Sequence, residues 1–257
     1  MKIFRLIFTL LLLYNTSGTN LHPENRQSKD ITIAAAADLV LAFSEIGKLF
    51  EKTYGIRTKI IYSSSGTARE QIANGAPFDI YASANIKFVD DLIKAGKIIP
   101  DTQELYGIGR VGAATSVKTK LRISSLNDLL KSDYKKIAIA DPSHAPYGLA
   151  AKQTLEKLGL WDKLKDKMIY AKDIQHSLSL LNTGNVEAAF ISLSVVNTKK
   201  VNFYLADDKL HAPLKQSIAV VKGTKKEMEA RKFIKFVNGT EGRKIMIKYG
   251  FILPDGK

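Results

Sequence analysis

Small and hydroxyl-bearing residues cluster at points where a strand-like segment gives way to a helix-like one. Three such junctions are Ala37-Asp38, Ser63–Thr67 and Ala145–Gly148, and a fourth helix-like segment opens at Asp173-Ile174. The first backbone amides of a helix lack intrahelical acceptors and lie at the positive end of its dipole. Together with serine hydroxyls, such amides suit a small oxyanion stripped of water, without requiring a lysine or arginine. Taken singly, each junction is also compatible with an ordinary turn that binds nothing.

The first junction shows how the elements would position these groups. Residues 31–37 form a short apolar run that ends at Asp38, and the apolar residues Leu39, Phe43, Ile46 and Phe50 follow at helical spacing. This pattern predicts a buried strand that turns tightly into an amphipathic helix. The alanines before Asp38 would allow a ligand to approach the backbone closely.

Strand-like and helix-like segments alternate along the whole chain, which predicts an α/β protein with mixed, mostly parallel sheets. Two long strands are predicted near residues 106–117 and 213–221. They bracket the middle third and indicate two lobes joined by crossing strands. The predicted first lobe comprises residues 30–110 and 216–257, and the predicted second lobe comprises residues 111–215. In two-lobed α/β proteins, ligands bind in a cleft at the carboxyl ends of strands.

The segment Gly107–Gly112 matches the glycine spacing of a dinucleotide-binding fingerprint. That motif requires a helix to open inside it, whereas residues 111–117 continue as strand-like sequence. We therefore interpret these glycines as part of a long strand that crosses between the lobes.

Composition narrows the classes of function. The chain has 257 residues, no cysteine and a formal net charge of +14. The absence of cysteine excludes disulfides, cysteine nucleophiles and a lipid anchor on cysteine. The positive charge favours an acidic partner, but no RNA-binding or zinc-finger motif accompanies it, so we predict no nucleic-acid partner.

The N-terminus has the pattern of a secretory signal peptide. Lys2 and Arg5 precede the apolar segment 6–14, after which residues 15–20 are small and polar. The apolar segment is shorter than the roughly 20 residues of a membrane-spanning helix. We predict cleavage near Gly18, so that residues 1–18 are removed and the mature protein is periplasmic.

The sequence offers little for catalysis. Its four histidines lack the spacing of a metal site, and it contains neither a nucleophile elbow nor a P-loop. His144 lies in a candidate ligand loop, where an acid–base role is possible in principle. We nevertheless predict that the protein is not an enzyme, and an exported enzyme is the remote alternative.

Five motifs, in order, resemble the periplasmic molybdate-binding proteins of ABC importers. They are Ala35-Ala36-Ala37-Asp38-Leu39, Ser64-Ser65-Gly66, residues 74–79, the loop 141–148 and Lys248-Tyr249-Gly250-Phe251. The resemblance extends from about Ile31 to Phe251. It implies a flytrap-like protein, similar to type II periplasmic binding proteins, that closes on molybdate or tungstate and delivers it to a membrane permease. We also predict that the protein is a monomer and needs no cofactor.

Carried over position by position, the family's anion contacts fall on Asp38, Ser65, Tyr147 and Ile174. Ser65 would offer its hydroxyl and amide, and Tyr147 and Ile174 would offer backbone amides. Ala37 and Ser64 are neighbours that could also donate, and no residue is implied to bind a metal cation directly.

This sequence departs from the family's pattern at two of these positions. Many members have serine or asparagine where Asp38 stands, and a tyrosine of some members falls at Ser192.

Asp38 poses a physical difficulty, because a carboxylate repels a doubly charged oxyanion, most strongly in a dry cleft. In one interpretation its side chain caps its own helix and only its amide faces the ligand. In the other, the ligand carries a proton that Asp38 accepts, as hydrogen phosphate would. We favour the first interpretation, and a binding protein for phosphate, sulfate or another tetrahedral oxyanion remains the alternative.

Overall fold

The computed structural model of this protein describes residues 30–254. The predicted signal peptide, residues 1–18, lies outside them. The strands are β1 (Ile31–Ala36), β2 (Thr58–Ser63), β3 (Ile80–Ser83), β4 (Glu104–Gly109), β5 (Val111–Ser116), β6 (Ile137–Ala140), β7 (Met168–Ala171), β8 (Ala188–Ser192), β9 (Val201–Leu205) and β10 (Leu214–Val220). The helices are α1 (Val40–Tyr54), α2 (Ser65–Ala73), α3 (Ile86–Lys94), α4 (Pro146–Lys157), α5 (Trp161–Leu164), α6 (Ile174–Asn182), α7 (Glu227–Asn238) and α8 (Thr240–Lys248).

The strands form two five-stranded sheets, with orders β2-β1-β3-β10-β4 and β7-β6-β8-β5-β9. In the first sheet only β10 runs against the other strands, and in the second only β5 does. The predicted mixed and mostly parallel α/β architecture is therefore confirmed. We call the part built on the first sheet the first lobe and the part built on the second sheet the second lobe.

The single long strand predicted near residues 106–117 is wrong. Arg110 separates β4, which pairs with β10 in the first sheet, from β5, which pairs with β8 and β9 in the second. The break arises because the chain changes sheets at this residue. Arg110 is held at the crossing by its guanidinium, which donates to the Gly250 carbonyl at 3.2 Å, and by its own carbonyl, which accepts from the Leu193 amide at 2.9 Å.

The other predicted long strand corresponds to β10, which pairs only within the first sheet. The chain thus returns to the first lobe between β9 and β10. The exact lobe boundaries given above, at residues 110/111 and 215/216, stay a prediction.

The sequence predicts helices that begin near Leu149 and near Ala68, but both begin earlier, at the candidate site. Helix α4 begins at Pro146, because proline is tolerated at the first helical position, where an N–H would have no intrahelical partner. Helix α2 begins at Ser65, because the Ser64 hydroxyl caps it by accepting the Thr67 amide at 3.2 Å. Ser65 and Tyr147 therefore belong to first helical turns, not to loops.

Aromatic rings form the centre of the first-lobe core. Phe43 of α1 lies 5.9 Å from the Tyr106 ring and 5.8 Å from the Phe233 ring, and Phe233 also contacts Phe50 at 5.1 Å between centroids. All four side chains are almost fully buried. These contacts fix α1 against β4 and α7, and so fix the turn that carries Asp38.

We expect Phe43→Ala to lower the free energy of unfolding by about 3–5 kcal/mol, because it removes buried apolar area and leaves a cavity. Urea denaturation at equilibrium measures this loss. Leu41→Ala is the matched control in the same helix, because Leu41 is 39% exposed, and its loss should be clearly smaller. Equal losses would contradict the assignment of Phe43 to the core.

Within residues 30–254, every helix is too short or too polar to cross a lipid bilayer.

Candidate functional site

All six predicted site residues surround one small cavity between the lobes. Its volume, counted as the space open to the centre of a water molecule, is about 10 Å³, far below the ~300–1,000 Å³ typical of sites for drug-sized ligands. The cavity therefore suits a ligand of few atoms. Its walls are formed by Ala36, Ala37, Asp38, Ser63, Ser64, Ser65, Ala84, Ala145, Pro146, Tyr147, Asp173 and Ile174.

Three helix N-termini meet at this cavity. Ser65 opens α2, Tyr147 is the second residue of α4, and Ile174 opens α6. Backbone amides in these positions have no intrahelical acceptor, and each helix adds the positive end of its dipole. The first lobe contributes α2 and the second lobe contributes α4 and α6, so the donors come from both sides of the cleft.

The donors on the cavity walls are polar groups that carry no full positive charge. Neither lysine nor arginine occurs among the described residues that line the cavity. The attraction for an anion therefore has to come from amide and hydroxyl dipoles. Dipoles of this kind are effective where water is excluded and the local dielectric constant is low.

Ser65 is held so that its hydroxyl hydrogen remains available. Its Oγ accepts the Ala84 amide at 2.9 Å, and its carbonyl accepts the Tyr81 hydroxyl at 2.6 Å. The side chain is 1% exposed. Because a serine hydroxyl both donates and accepts, the bond from Ala84 fixes the oxygen and leaves the proton for a partner in the cavity.

Ser64 connects the lobes. Its hydroxyl lies 2.8 Å from Nδ1 of His144 and 2.8 Å from Oγ1 of Thr67, in addition to capping α2. The neighbouring Gly66 amide donates to the His144 carbonyl at 2.9 Å. A side chain at Gly66 would prevent this approach, since a Cβ there would lie 2.6 Å from that carbonyl oxygen. The hydroxyl of Ser64 is thus engaged within the protein, and His144 contacts the first lobe.

The interpretation that Asp38 caps its own helix is wrong. The starts of the Ala37–Leu39 turn and of α1 have no side-chain cap. Instead, Oδ2 of Asp38 accepts the Tyr147 hydroxyl at 2.9 Å and the Gln216 amide nitrogen at 2.9 Å. Two strong donors from α4 and β10 compete with the local amides for the carboxylate, and they hold it away from the cap position.

Gln216 and Tyr106 are site residues that sequence reasoning missed. Gln216 of β10 is fully buried; its amide nitrogen also donates to the Tyr147 oxygen at 3.0 Å, and its amide oxygen accepts the Tyr106 hydroxyl at 2.7 Å. The signal that could have revealed it is a glutamine within a strand whose residues, apart from Lys215, are buried. Gly109 makes room for this network, since a Cβ there would lie 2.0 Å from the Tyr147 hydroxyl oxygen.

Two further hydrogen bonds join the lobes at the turn after β1. The Gln175 amide nitrogen donates to the Ala37 carbonyl at 3.2 Å, and the Ser194 hydroxyl donates to the Asp38 carbonyl at 2.7 Å. Ser192 lies 2.6 Å from Ser194 between hydroxyl oxygens. At this position, which the resemblance assigns to a tyrosine in some relatives, the serine therefore belongs to a chain of hydroxyls that supports the Asp38 backbone.

Burial dominates the electrostatics of the network. It raises the pKa of the Asp38 carboxyl from 3.8 to about 6, although hydrogen bonds from Gln216 and Tyr147 act in the opposite direction. Burial also raises the pKa of the Tyr147 hydroxyl well above its ordinary value. Tyr147 therefore remains a neutral donor at any physiological pH, whereas Asp38 changes its protonation near pH 6.

The chain is similar to curated transport proteins over most of its length. YvgL of Bacillus subtilis, provisionally described as an ABC transporter substrate-binding lipoprotein, is 34% identical over 245 residues, which cover 94% of this chain and 93% of YvgL. The molybdate-binding protein ModA of Escherichia coli is 30% identical over 252 residues, which cover 94% of this chain and 95% of ModA.

Solved structures agree with these relatives. The periplasmic molybdate-binding protein of Azotobacter vinelandii has a TM-score of 0.82 at 27% identity, covering 87% of this chain and 99% of that chain. The sulfate-binding protein SubI of Mycobacterium tuberculosis, at 15% identity and a TM-score of 0.77, shares the fold, with 88% of this chain and 87% of SubI covered. Residues 31–252 match the family described as bacterial extracellular solute-binding proteins. A match over this span means that the chain belongs to that family.

Proposed function

We propose that this protein is the extracytoplasmic solute-binding component of an ABC importer and captures molybdate or tungstate in the cavity between its lobes. The observation that carries the proposal is the convergence of three helix N-termini and the Ser65 hydroxyl on one cavity with no cationic side chain on its walls. The similarity to ModA proteins over most of the chain supports the choice of anion.

The proposed ligand contacts are the Ser65 hydroxyl and amide and the backbone amides of Tyr147 and Ile174, with Ala37 and Asp38 lining the same wall. Hydrogen bonds to an ionised acceptor are stronger than neutral ones. A complete set of such donors therefore replaces the hydration shell of a tetrahedral oxyanion. Ser64 has the different role of joining α2 to the His144 loop.

Capture would occur by closure of the lobes. Donors on the first lobe meet donors on the second only when the cleft is closed, so the anion binds the closed form more tightly than the open form. The net charge of +14 would speed the encounter with a dianion, and this acceleration should weaken as salt is added.

The relatives suggest the setting of this function. We propose that the mature protein is exported to the periplasm, acts as a monomer and passes its anion to a membrane permease, with no cofactor and no catalytic step. We retain the predicted division into lobes at residues 110/111 and 215/216, because the two sheets change over close to these positions.

A protein for hydrogen phosphate is the second candidate, and one observation favours it. Asp38 is a buried carboxylate on the cavity wall, and an ionised carboxylate could accept the proton that hydrogen phosphate carries. Sulfate lacks that proton and would be repelled.

Calorimetric titration of refolded, ligand-free mature protein with molybdate, tungstate, sulfate and phosphate tests the proposal. We expect molybdate and tungstate to bind most tightly. At a free concentration 1,000 times its Kd, molybdate should stabilise the folded state by about 4 kcal/mol and raise the melting temperature accordingly. Tighter binding of phosphate, or no binding of any of these anions, would refute the proposal.

A further inference from the structure

The two oxygens of the Asp38 carboxyl have different surroundings. Oδ2 accepts two hydrogen bonds, from Tyr147 and from Gln216, each at 2.9 Å. Among the described residues, Oδ1 is buried without any hydrogen-bond partner. Asp38 is 1% exposed and lines the cavity. A buried polar atom without a partner is costly and rare in a folded protein, so a cavity ligand is the natural partner for Oδ1.

We propose that Asp38 binds the oxyanion as a neutral carboxylic acid, an inference that rests on the proposed function. Its Oδ1–H donates to an oxygen of the anion, and Tyr147 and Gln216 act as positioning residues. A carboxylic acid has one carbonyl oxygen, which accepts, and one hydroxyl, which donates. The two donors at Oδ2 mark it as the carbonyl oxygen, so the proton lies on Oδ1.

The charges around the cavity favour the neutral form in the complex. An ionised carboxylate next to a dianion would be repelled in a site with little water. The direct partners of Asp38 are neutral donors that cannot offset this repulsion. The elements around Asp38 are α1, β2, β4, α4, α6 and β10. Among their charged groups, Glu45 is paired with Lys248 at 2.7 Å and Lys152 with Glu156 at 3.6 Å, and the others are exposed: Lys48, Glu51, Lys52, Lys59, Glu104, Lys157 and Lys215. The remaining titratable groups are Tyr54 of α1, Tyr62 of β2, Tyr106 of β4, Tyr147 of α4, and Asp173 and His176 at the start of α6.

Binding then requires a proton whenever the ligand-free carboxyl is ionised. With a ligand-free pKa of about 6, Asp38 is mostly ionised at pH 7.5, and closure on the anion forms an O–H bond at Oδ1 with a proton taken from the buffer. Below pH 6 the carboxyl is already protonated, so the titration of this group should no longer change the affinity with pH. Above pH 6 the Kd should rise about tenfold for each pH unit.

This arrangement also selects the protonation state of the ligand. A fully deprotonated oxyanion presents only acceptors, and these match the Oδ1–H group and the surrounding amides. Hydrogen phosphate would direct its own O–H at a site of donors, which leaves one proton without an acceptor. Asp38 would therefore discriminate against the anion that the second candidate function requires.

Calorimetry at pH 7.5 in buffers of different ionisation enthalpy counts the protons exchanged. We expect uptake of nearly one proton for each molybdate bound by the wild-type protein. Molybdate binding without proton uptake would overturn the role of Asp38 and leave the proposed function intact. A failure of molybdate to bind at all would instead reject the proposed function.

An infrared difference spectrum of the molybdate complex against the ligand-free protein locates the proton. A carboxylic-acid C=O band should appear on binding at pH 7.5 and should be missing in Asp38→Asn. Uptake without that band would place the proton on the anion and contradict the proposal. Because asparagine donates without titrating, the affinity of Asp38→Asn relative to wild type should rise about tenfold between pH 7 and pH 8. A constant ratio would also overturn the proposal.

Tyr147→Phe tests the positioning role and keeps the backbone amide. Loss of the hydroxyl removes one donor that favours ionised Asp38, so the pH above which molybdate affinity falls should move upward. A variant that merely loosened the fold would change affinity without moving that pH. An unmoved pH profile would exclude Tyr147 from this role.

Discussion

Gly109→Ala should weaken molybdate binding by roughly 5- to 150-fold, which corresponds to about 1–3 kcal/mol of overpacking. A Cβ at this position would lie 2.0 Å from the hydroxyl oxygen and 2.8 Å from Cζ of Tyr147, and 2.6 Å from the amide nitrogen of Gln216. Gln216 can adjust its flexible end, but the tyrosine ring is rigid. Since Tyr147 belongs to the other lobe, the clash arises only in the closed form, and the cost falls on ligand binding.

Gly107→Ala is the matched control for this prediction. Gly107 lies two residues earlier in β4, and its nearest neighbour would be a carbon of Phe251 at 3.4 Å, an ordinary contact. Calorimetry should find nearly wild-type molybdate affinity in Gly107→Ala and strongly reduced affinity in Gly109→Ala. Similar affinities in the two variants would mean that the Tyr147–Gln216 contact is not needed for closure.

Ser65→Ala should weaken molybdate binding by roughly 10- to 150-fold, because a hydrogen bond to a charged partner contributes about 1.5–3 kcal/mol. The same change leaves the buried Ala84 amide without its acceptor. We therefore also expect a lower melting temperature for the ligand-free protein. Both effects have one cause, since the Ser65 oxygen serves Ala84 and its proton serves the ligand.

Titration calorimetry and thermal unfolding measure the two effects of Ser65→Ala separately. Ser124→Ala makes the same chemical change at an exposed position of the second lobe and should leave both quantities near wild type. Unchanged molybdate affinity in Ser65→Ala would remove Ser65 from the list of ligand contacts, whatever its effect on stability.

Much of the fold could be predicted because strands and helices of this chain carry clear periodic patterns. The apolar run 31–37 predicts a buried strand, and the helical spacing of Leu39, Phe43, Ile46 and Phe50 predicts the helix that follows. The break at Arg110 could not be predicted, because the glycine-spaced residues on both sides of it are strand-like. Which sheet each half joins depends on partners far away in the sequence.

The positions of the candidate site were predictable, but the hydrogen bonds within it were not. Strand-to-helix junctions can be recognised locally, and the structure brings Ser65, Tyr147 and Ile174 together at one cavity. The carboxylate of Asp38, however, is held by Tyr147 and Gln216, which follow it in the sequence by 109 and by 178 positions. Local patterns favoured an ordinary helix cap for Asp38, and long-range hydrogen bonds across the lobes prevailed over it.

Gln216 illustrates what an alternating pattern cannot reveal. It occupies an inward position of β10, between exposed Lys215 and buried Ser217, where a polar residue usually indicates a solvated face. Its burial is tolerated because Tyr106, Tyr147 and Asp38 satisfy its amide group.

Crystals of the mature protein grown with sodium molybdate offer the most direct test, because anomalous scattering locates molybdenum without reference to the protein. We predict one strong peak in the cavity between Ser65, Tyr147 and Ile174, with anion oxygens at hydrogen-bonding distance from the Ser65 hydroxyl and from amides of both lobes. A peak against surface lysines, or an anion held by one lobe alone, would contradict the claim that uncharged donors from both lobes bind the oxyanion.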